Sequence, residues 1–113
     1  MRYLLLLAGD PAAEDSLLGE DRRRIVEAHL ALVEELRRAG RLVAAAALDP
    51  AGAHVVAPAE TGIATDGVFA ETKEVLGSFY VVDVEDVEEA RALAARMPAS
   101  PGLRVLLVPA VDV

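Results

Sequence analysis

The pattern of apolar and polar positions predicts four β-strands in this chain. Residues 2–9, "RYLLLLAG", form a continuous apolar run followed by a turn signal, which is typical of a strand buried on both faces. Apolar runs at residues 41–48, 76–83 and 103–109 predict the other three strands. Residues 76–83 are also rich in the β-branched and aromatic types that strands favour.

Two stretches with helical spacing separate these strands. Residues 20–39 place apolar side chains on one face, and Gly40 follows as a typical helix-ending glycine. The second predicted helix begins at Asp86, where Glu89 three positions later resembles a capping box. Pro98 ends this helix because proline cannot continue the helical hydrogen bonds.

The remaining segments complete a recognisable order of elements. Residues 10–19 read as a loop and residues 53–66 as a small hairpin. The order β-α-β-hairpin-β-α-β over residues 1–113 predicts one α+β domain with a ferredoxin-like βαββαβ fold and an inserted hairpin. Both helices would cover one face of the sheet. Because the strands are apolar on both sides, we expect a second copy of the chain to cover the other face, which makes a homodimer.

The composition narrows the classes of partner and compartment. The formal net charge of −8 and the pI of about 4.6 disfavour direct nucleic-acid binding, and the arginines at 22–24 and 37–38 are interpreted as a solvated helix face. The sequence has no cysteine, which excludes disulfides and thiolate sites and suits a reducing cytoplasm. No apolar run approaches the ~20 residues that cross a bilayer, so no membrane association is expected.

His29 is the most informative single residue. It lies within the apolar stripe of the first long helix, beside Ile25, Leu32 and Val33. An imidazole there is either a core side chain bonded to a backbone carbonyl or a proton-transfer group in a cleft. The spacing leaves both interpretations open.

Other polar residues are candidates with simpler alternatives. Asp10 follows the first strand and could orient His29, but Asp-Pro is also ordinary turn chemistry. Asp66 with Gly67 is either a turn or a second carboxylate at the cleft mouth. Lys73, the only lysine, could bind an anion or pair with neighbouring acids. No spacing typical of a metal site or of a nucleotide cofactor occurs, so neither is predicted.

Four segments together resemble the YCII-related family. They are "MRYLLLLAGD" (1–10), "EAHLALVEELRRAG" (27–40), "TDGVFAETKEVLGSFYVVDVEDVEEA" (65–90) and "LRVLLVPAV" (103–111). The resemblance is to the DGPF branch, which is named for an Asp-Gly-Pro-Phe motif followed by Ala-Glu-Thr-Lys-Glu. Val68 stands where that branch has proline.

The resemblance implies a fold and a site. The fold is a dimeric α/β barrel built on ferredoxin-like subunits. The site is a cleft in which a histidine and an aspartate form an acid–base pair. His29 matches the family's helix histidine and Asp10 the acid after its first strand. The signature loop contributes Asp66, Phe69, Glu71, Thr72 and Lys73.

Three hypotheses follow for the function. The first is a cofactor-independent enzyme in which His29, oriented by Asp10 or Asp66, moves a proton on a small cyclic or carbonyl-bearing substrate. The second is a non-catalytic module that binds a small molecule or a protein, with an alternative sigma factor implied by relatives. In the third, the signature loop only seals the dimer. We otherwise expect this loop to fold over the cleft rim near His29, with Phe69 against apolar surface.

Overall fold

The computed structural model describes residues 1–54, 56 and 74–112. The predicted strands and long helices are all confirmed, within one or two residues at their ends. In chain order the elements are β1 Arg2–Gly9, α1 Pro11–Asp15, α2 Gly19–Arg38, β2 Leu42–Ala47, a 3-10 turn Pro50–Gly52, β3 Val75–Asp83, α3 Val87–Ala95 and β4 Arg104–Pro109. The predicted hairpin at 53–66 falls almost entirely outside the described residues.

The prediction of a plain loop at residues 10–19 is wrong, because α1 forms there. Pro11 occupies the first helical position, where its fixed φ suits a helix and its missing N–H costs nothing. The side chain of Asp10 accepts a hydrogen bond from the backbone N–H of Ala12 at 2.9 Å, which caps the helix start. Asp10 followed by Pro11 is a typical helix start in the sequence, but the helix that it begins is only five residues long.

The four strands form one antiparallel sheet in the order β2-β3-β1-β4. The two strands that are farthest apart in sequence, β1 and β4, are neighbours, and β3 lies between β1 and β2. The arrangement is α+β and compatible with the predicted ferredoxin-like fold. The pairing of β1 with β3 shifts register between Leu7 and Ala8, and this bulge lets both of those side chains be buried.

The core lies between the sheet and helices α2 and α3. Alternate β1 residues face the helices, and Leu5 is fully buried. The rest of the buried cluster comes from both helices and from β3 and its end, namely Tyr3, Leu7, Leu32, Leu36, Tyr80, Val82, Val84, Ala90, Leu93 and Met97. The prediction that both helices cover one face of the sheet is therefore confirmed.

The opposite face of the sheet is apolar and has no covering helix among the described elements. Leu4 lies between Val81 and Val108, and Leu6 lies between Phe79 and Leu106. We call this surface the open face; its members are Leu4, Leu6, Ala44, Ala46, Phe79, Val81, Leu106 and Val108. Leu6 and Phe79 are only partly buried, and Val108 is 39% exposed.

Local signals at the helix ends act as the sequence predicted. Gly40 adopts φ +71° after α2, a left-handed conformation that glycine reaches without a Cβ clash. The carboxylate of Asp86 accepts a hydrogen bond from the N–H of Glu89 at 2.9 Å and caps α3. The side chain of Glu89 reaches back to the N–H of Glu85 rather than to that of Asp86, which extends the capping box by one residue.

The outer face of α2 is solvated and its charges are paired. Arg24 contacts Asp21 at 3.7 Å, and Arg37 and Arg38 both contact the carboxylate of Glu34 at 3.1 Å. The interpretation of these arginines as a solvated helix face is thus confirmed. Within the described residues, no helix is both long enough and apolar enough to cross a membrane.

Candidate functional site

A pocket of about 430 Å³ opens at the end of the sheet where β1 finishes and β3 begins. Its walls are mostly apolar and include Leu7, Ala8, Ile25, Leu48, Val75 and Leu103. Four polar residues also line it: His29, Asp49, Ser78 and Ser100. The bulge at Leu7 and Ala8 belongs to this wall, as bulges near functional sites commonly do.

His29 lines this pocket and pairs with a tyrosine. Its Nδ1 lies 2.6 Å from the hydroxyl oxygen of Tyr80, a residue 51 positions away in sequence. The two ring centroids are 5.9 Å apart and the planes are tilted by 31°, so the contact is a hydrogen bond between ring edges rather than a stack. The imidazole is partly buried, and Tyr80 is 2% exposed.

Burial shifts both groups toward their neutral forms. Desolvation lowers the pKa of His29 below its ordinary value of 6.5 and raises the pKa of Tyr80 above 10.0. Both side chains are therefore mainly neutral at pH 7.

The two rings meet because of where their elements pack. Tyr80 belongs to β3, and its Cα pairs with Leu5 on one side and Ala45 on the other, at the centre of the sheet. His29 lies midway along α2, one turn before the buried Leu32. A tyrosine on the helix-facing side of β3 brings its hydroxyl up to α2.

The predicted pairing of Asp10 with His29 stays a prediction. The Asp10 carboxylate accepts from Ala12 N–H at the start of α1, which matches the turn interpretation given above. Its neighbours Gly9 and Pro11 line the pocket, so Asp10 lies close to the pocket wall. No hydrogen bond between Asp10 and His29 occurs in the described part of the chain.

The signature loop falls outside the described residues. Asp66, Phe69, Glu71, Thr72 and Lys73 all lie in the segment 57–73, so their predicted roles remain predictions. The next residue, Glu74, is described, and its carboxylate contacts the guanidinium of Arg104 at 2.9 Å.

Tyr80, the partner of His29, and three polar residues of the pocket lining were missed from sequence. One signal could have found Tyr80: it alternates with Val82 on a strand beside the core, and a buried phenol needs a hydrogen-bond partner. Asp49, Ser78 and Ser100 carried no such signal, because turn and strand positions of these types are common on any fold.

The described residues contain no group of three or more histidines and carboxylates placed to hold a metal ion. None of the described lining residues is a lysine or arginine. The polar residues of the described lining are therefore His29, two serines and the acidic Asp49.

The comparison with known proteins gives a family. No curated protein matches this chain. The family model of the YCII-related domain matches residues 1–104, a range that includes β1, the His29–Tyr80 pair and the whole pocket wall. The chain therefore belongs to the YCII-related domain family.

Proposed function

We propose that this chain is a cofactor-independent enzyme that moves a proton on a small cyclic or carbonyl-bearing molecule, with His29 as the central group. The observation that carries the proposal is the partly buried imidazole at the wall of the pocket, held 2.6 Å from the Tyr80 hydroxyl. Histidine suits proton transfer near neutral pH, and its lowered pKa keeps the ring neutral there.

The pocket supports a small and mainly apolar substrate. Its volume of about 430 Å³ lies within the roughly 300–1,000 Å³ of ligand pockets. Apolar walls with a few convergent polar groups are typical of sites that hold an organic molecule and orient one part of it. A positioned acid or base in such a site contributes about 10²–10⁴-fold to the rate.

A carboxylate partner completes the proposed acid–base chemistry. Asp10 and Asp66 are the candidates that the family resemblance supplies, and Asp49 joins them because it is among the residues that line the pocket. We assign the other signature-loop residues, Phe69, Glu71, Thr72 and Lys73, to binding at the rim. The Ala-Glu-Thr-Lys-Glu motif within that loop supports membership of the DGPF branch.

The proposed enzyme is a homodimer in which two open faces pack together as an α/β barrel. The open face is apolar across all four strands. Soluble monomers rarely leave so extended an apolar surface uncovered. The lack of cysteine supports a cytoplasmic location, where thiols and disulfides are not needed for stability.

A second candidate is a non-catalytic binding module. The net charge of −8 favours a basic partner, and an alternative sigma factor is the partner that the family resemblance implies. In this case the same pocket binds a small regulatory molecule without converting it.

The test compares His29 variants with a matched control. His29→Ala and His29→Gln are assayed against lactones, halogenated quinols and keto–enol substrates, together with His54→Gln, which changes the exposed second histidine. We expect turnover to fall at least 100-fold in both His29 variants and to be unchanged in the control. Equal turnover in all four proteins overturns the catalytic role.

The binding-module candidate has its own measurement. If the parent turns over none of these compounds, titration with the partner sigma factor decides. Binding tighter than tens of micromolar favours the module. If no binding is found, both the sigma factor as partner and this substrate class are ruled out.

A further inference from the structure

We infer that Tyr80 is a positioning residue whose hydroxyl donates to Nδ1 of His29, fixes the ring proton on Nε2, and makes the imidazole a hydrogen-bond donor to an oxygen atom of the bound molecule. The tautomer follows from the contact itself. The role toward a bound molecule rests on the proposed function above.

The hydrogen-bonding needs of the tyrosine decide the direction of donation. Tyr80 is 2% exposed, and within the described residues Nδ1 of His29 is the partner of its hydroxyl. If Nδ1 carried the proton, it would donate to the phenol oxygen, and the phenol O–H would be left buried without an acceptor. Buried hydroxyl donors are rarely left in that state, since it costs about 1–3 kcal/mol. The hydroxyl therefore donates, Nδ1 accepts, and the proton of the neutral ring is on Nε2.

The sheet holds this donor in place. Tyr80 lies on β3 between two paired strands, with Leu5 and Ala45 as its cross-strand neighbours. Tyr80 belongs to the same buried core cluster as Leu32 and Leu36. Because the phenol cannot follow a rotating imidazole, the hydrogen bond also sets the orientation of the His29 ring.

The tautomer restricts the class of molecule that the pocket takes. An Nε2–H group offers a donor, so the complementary group on the ligand is an acceptor such as a carbonyl or enol oxygen. The described lining residues include no lysine or arginine, and they include the acidic Asp49. Among these described residues nothing offsets the charge of a phosphate ester or another dianion, so this part of the pocket favours a neutral, mostly apolar molecule with a carbonyl oxygen.

Nitrogen-15 NMR of the imidazole rings tests the tautomer directly. Long-range ¹H–¹⁵N spectra of uniformly labelled protein above pH 7 distinguish protonated from unprotonated ring nitrogens. We expect an unprotonated Nδ1 and a protonated Nε2 for His29, while exposed His54 shows the averaged shifts of a mixed tautomer. A proton on Nδ1 of His29 overturns the inference without any variant.

Tyr80→Phe tests whether the hydroxyl is the cause. We expect the two ¹⁵N shifts of His29 to converge toward the averaged values of His54, whereas Tyr3→Phe, which removes the other tyrosine hydroxyl, leaves them in place. Unchanged His29 shifts in folded Tyr80→Phe refute the positioning role.

If Tyr80→Phe does not fold, fluorotyrosine labelling replaces it. A ring fluorine makes the hydroxyl a stronger donor and keeps its shape. The His29 Nδ1 resonance should then move while that of His54 does not. No movement counts against the inference.

The outcome is separable from that of the proposed function. If His29→Gln keeps full turnover while the parent shows the expected tautomer, the catalytic proposal fails and the positioning role stands. If His29→Gln loses turnover but the proton is on Nδ1, the positioning role of Tyr80 fails and the catalytic proposal stands.

Discussion

Arg96 joins the end of α3 to α2 through Glu35, with 2.6 Å between Nη1 of the arginine and Oε2 of the glutamate. The hydrogen bond from the guanidinium lowers the pKa of Glu35 below 4.5, and the same contact raises the pKa of Arg96. Both side chains are about half exposed, so the pair is open to screening by salt.

This pair predicts a loss of stability in acid. A carboxyl whose pKa is lower in the folded state contributes stability that is present above its unfolded pKa of 4.5 and is lost as pH falls through the folded value. In urea unfolding, Glu35→Gln should be less stable than the parent at pH 7, and the difference should shrink below pH 4. A difference that stays constant with pH would contradict the role of ionisation.

His29 predicts a second pH dependence, with the same sign but near neutrality. Burial lowers its folded pKa below the unfolded value of 6.5, so the unfolded chain binds more protons in that range. The free energy of unfolding therefore decreases as pH falls through 6.5 toward the folded pKa. As pH falls from 7.5 to 5.5, the free energy of unfolding of His29→Gln should therefore increase relative to that of the parent. His54 is present in both proteins, so it does not contribute to the difference between them.

Gly40 predicts a conformational cost at the end of α2. Its φ of +71° disfavours any residue with a Cβ, although no atom lies within 4 Å of the position that a Cβ would take. Gly40→Ala should lower the free energy of unfolding by about 1–2 kcal/mol. Gly19→Ala is the matched control, because Gly19 begins α2 with open space around it and without a positive φ. This control should be neutral or stabilising by about 0.4–1 kcal/mol. Equal effects at the two sites would contradict a backbone origin.

The open face predicts the oligomeric state. Leu6 lies at the middle of this face, between Phe79 and Leu106. We expect the parent to sediment as a dimer of the 11.9 kDa chain and Leu6→Lys to sediment as a monomer, since a buried unpaired charge opposes association.

Leu30→Lys is the matched control for this experiment. Leu30 is 64% exposed on α2, on the other side of the sheet, so a lysine there should leave the dimer intact. The open face is not the interface if the parent is a monomer, or if Leu30→Lys is a monomer while Leu6→Lys remains a dimer.

The order of elements and the helix-facing core were readable from the pattern of the chain. Interactions within a few residues determine strand β1, the end of α2 at Gly40, the start of α3 at Asp86 and the apolar stripe that includes His29. Apolar periodicity, helix capping and glycine conformation are local properties, so the sequence alone predicts them. The short helix α1 escaped because five residues contain too little periodicity to separate it from a turn.

The partner of His29 was decided only by tertiary structure. Tyr80 is 51 residues away, and the contact depends on β3 pairing with β1 and on α2 crossing that part of the sheet. The sequence placed an imidazole on an apolar stripe but left open whether it met main chain, a carboxylate or a cleft. Non-local packing supplied a phenol and a pocket, because hydrogen-bond partners of core side chains are chosen by which elements become neighbours in space.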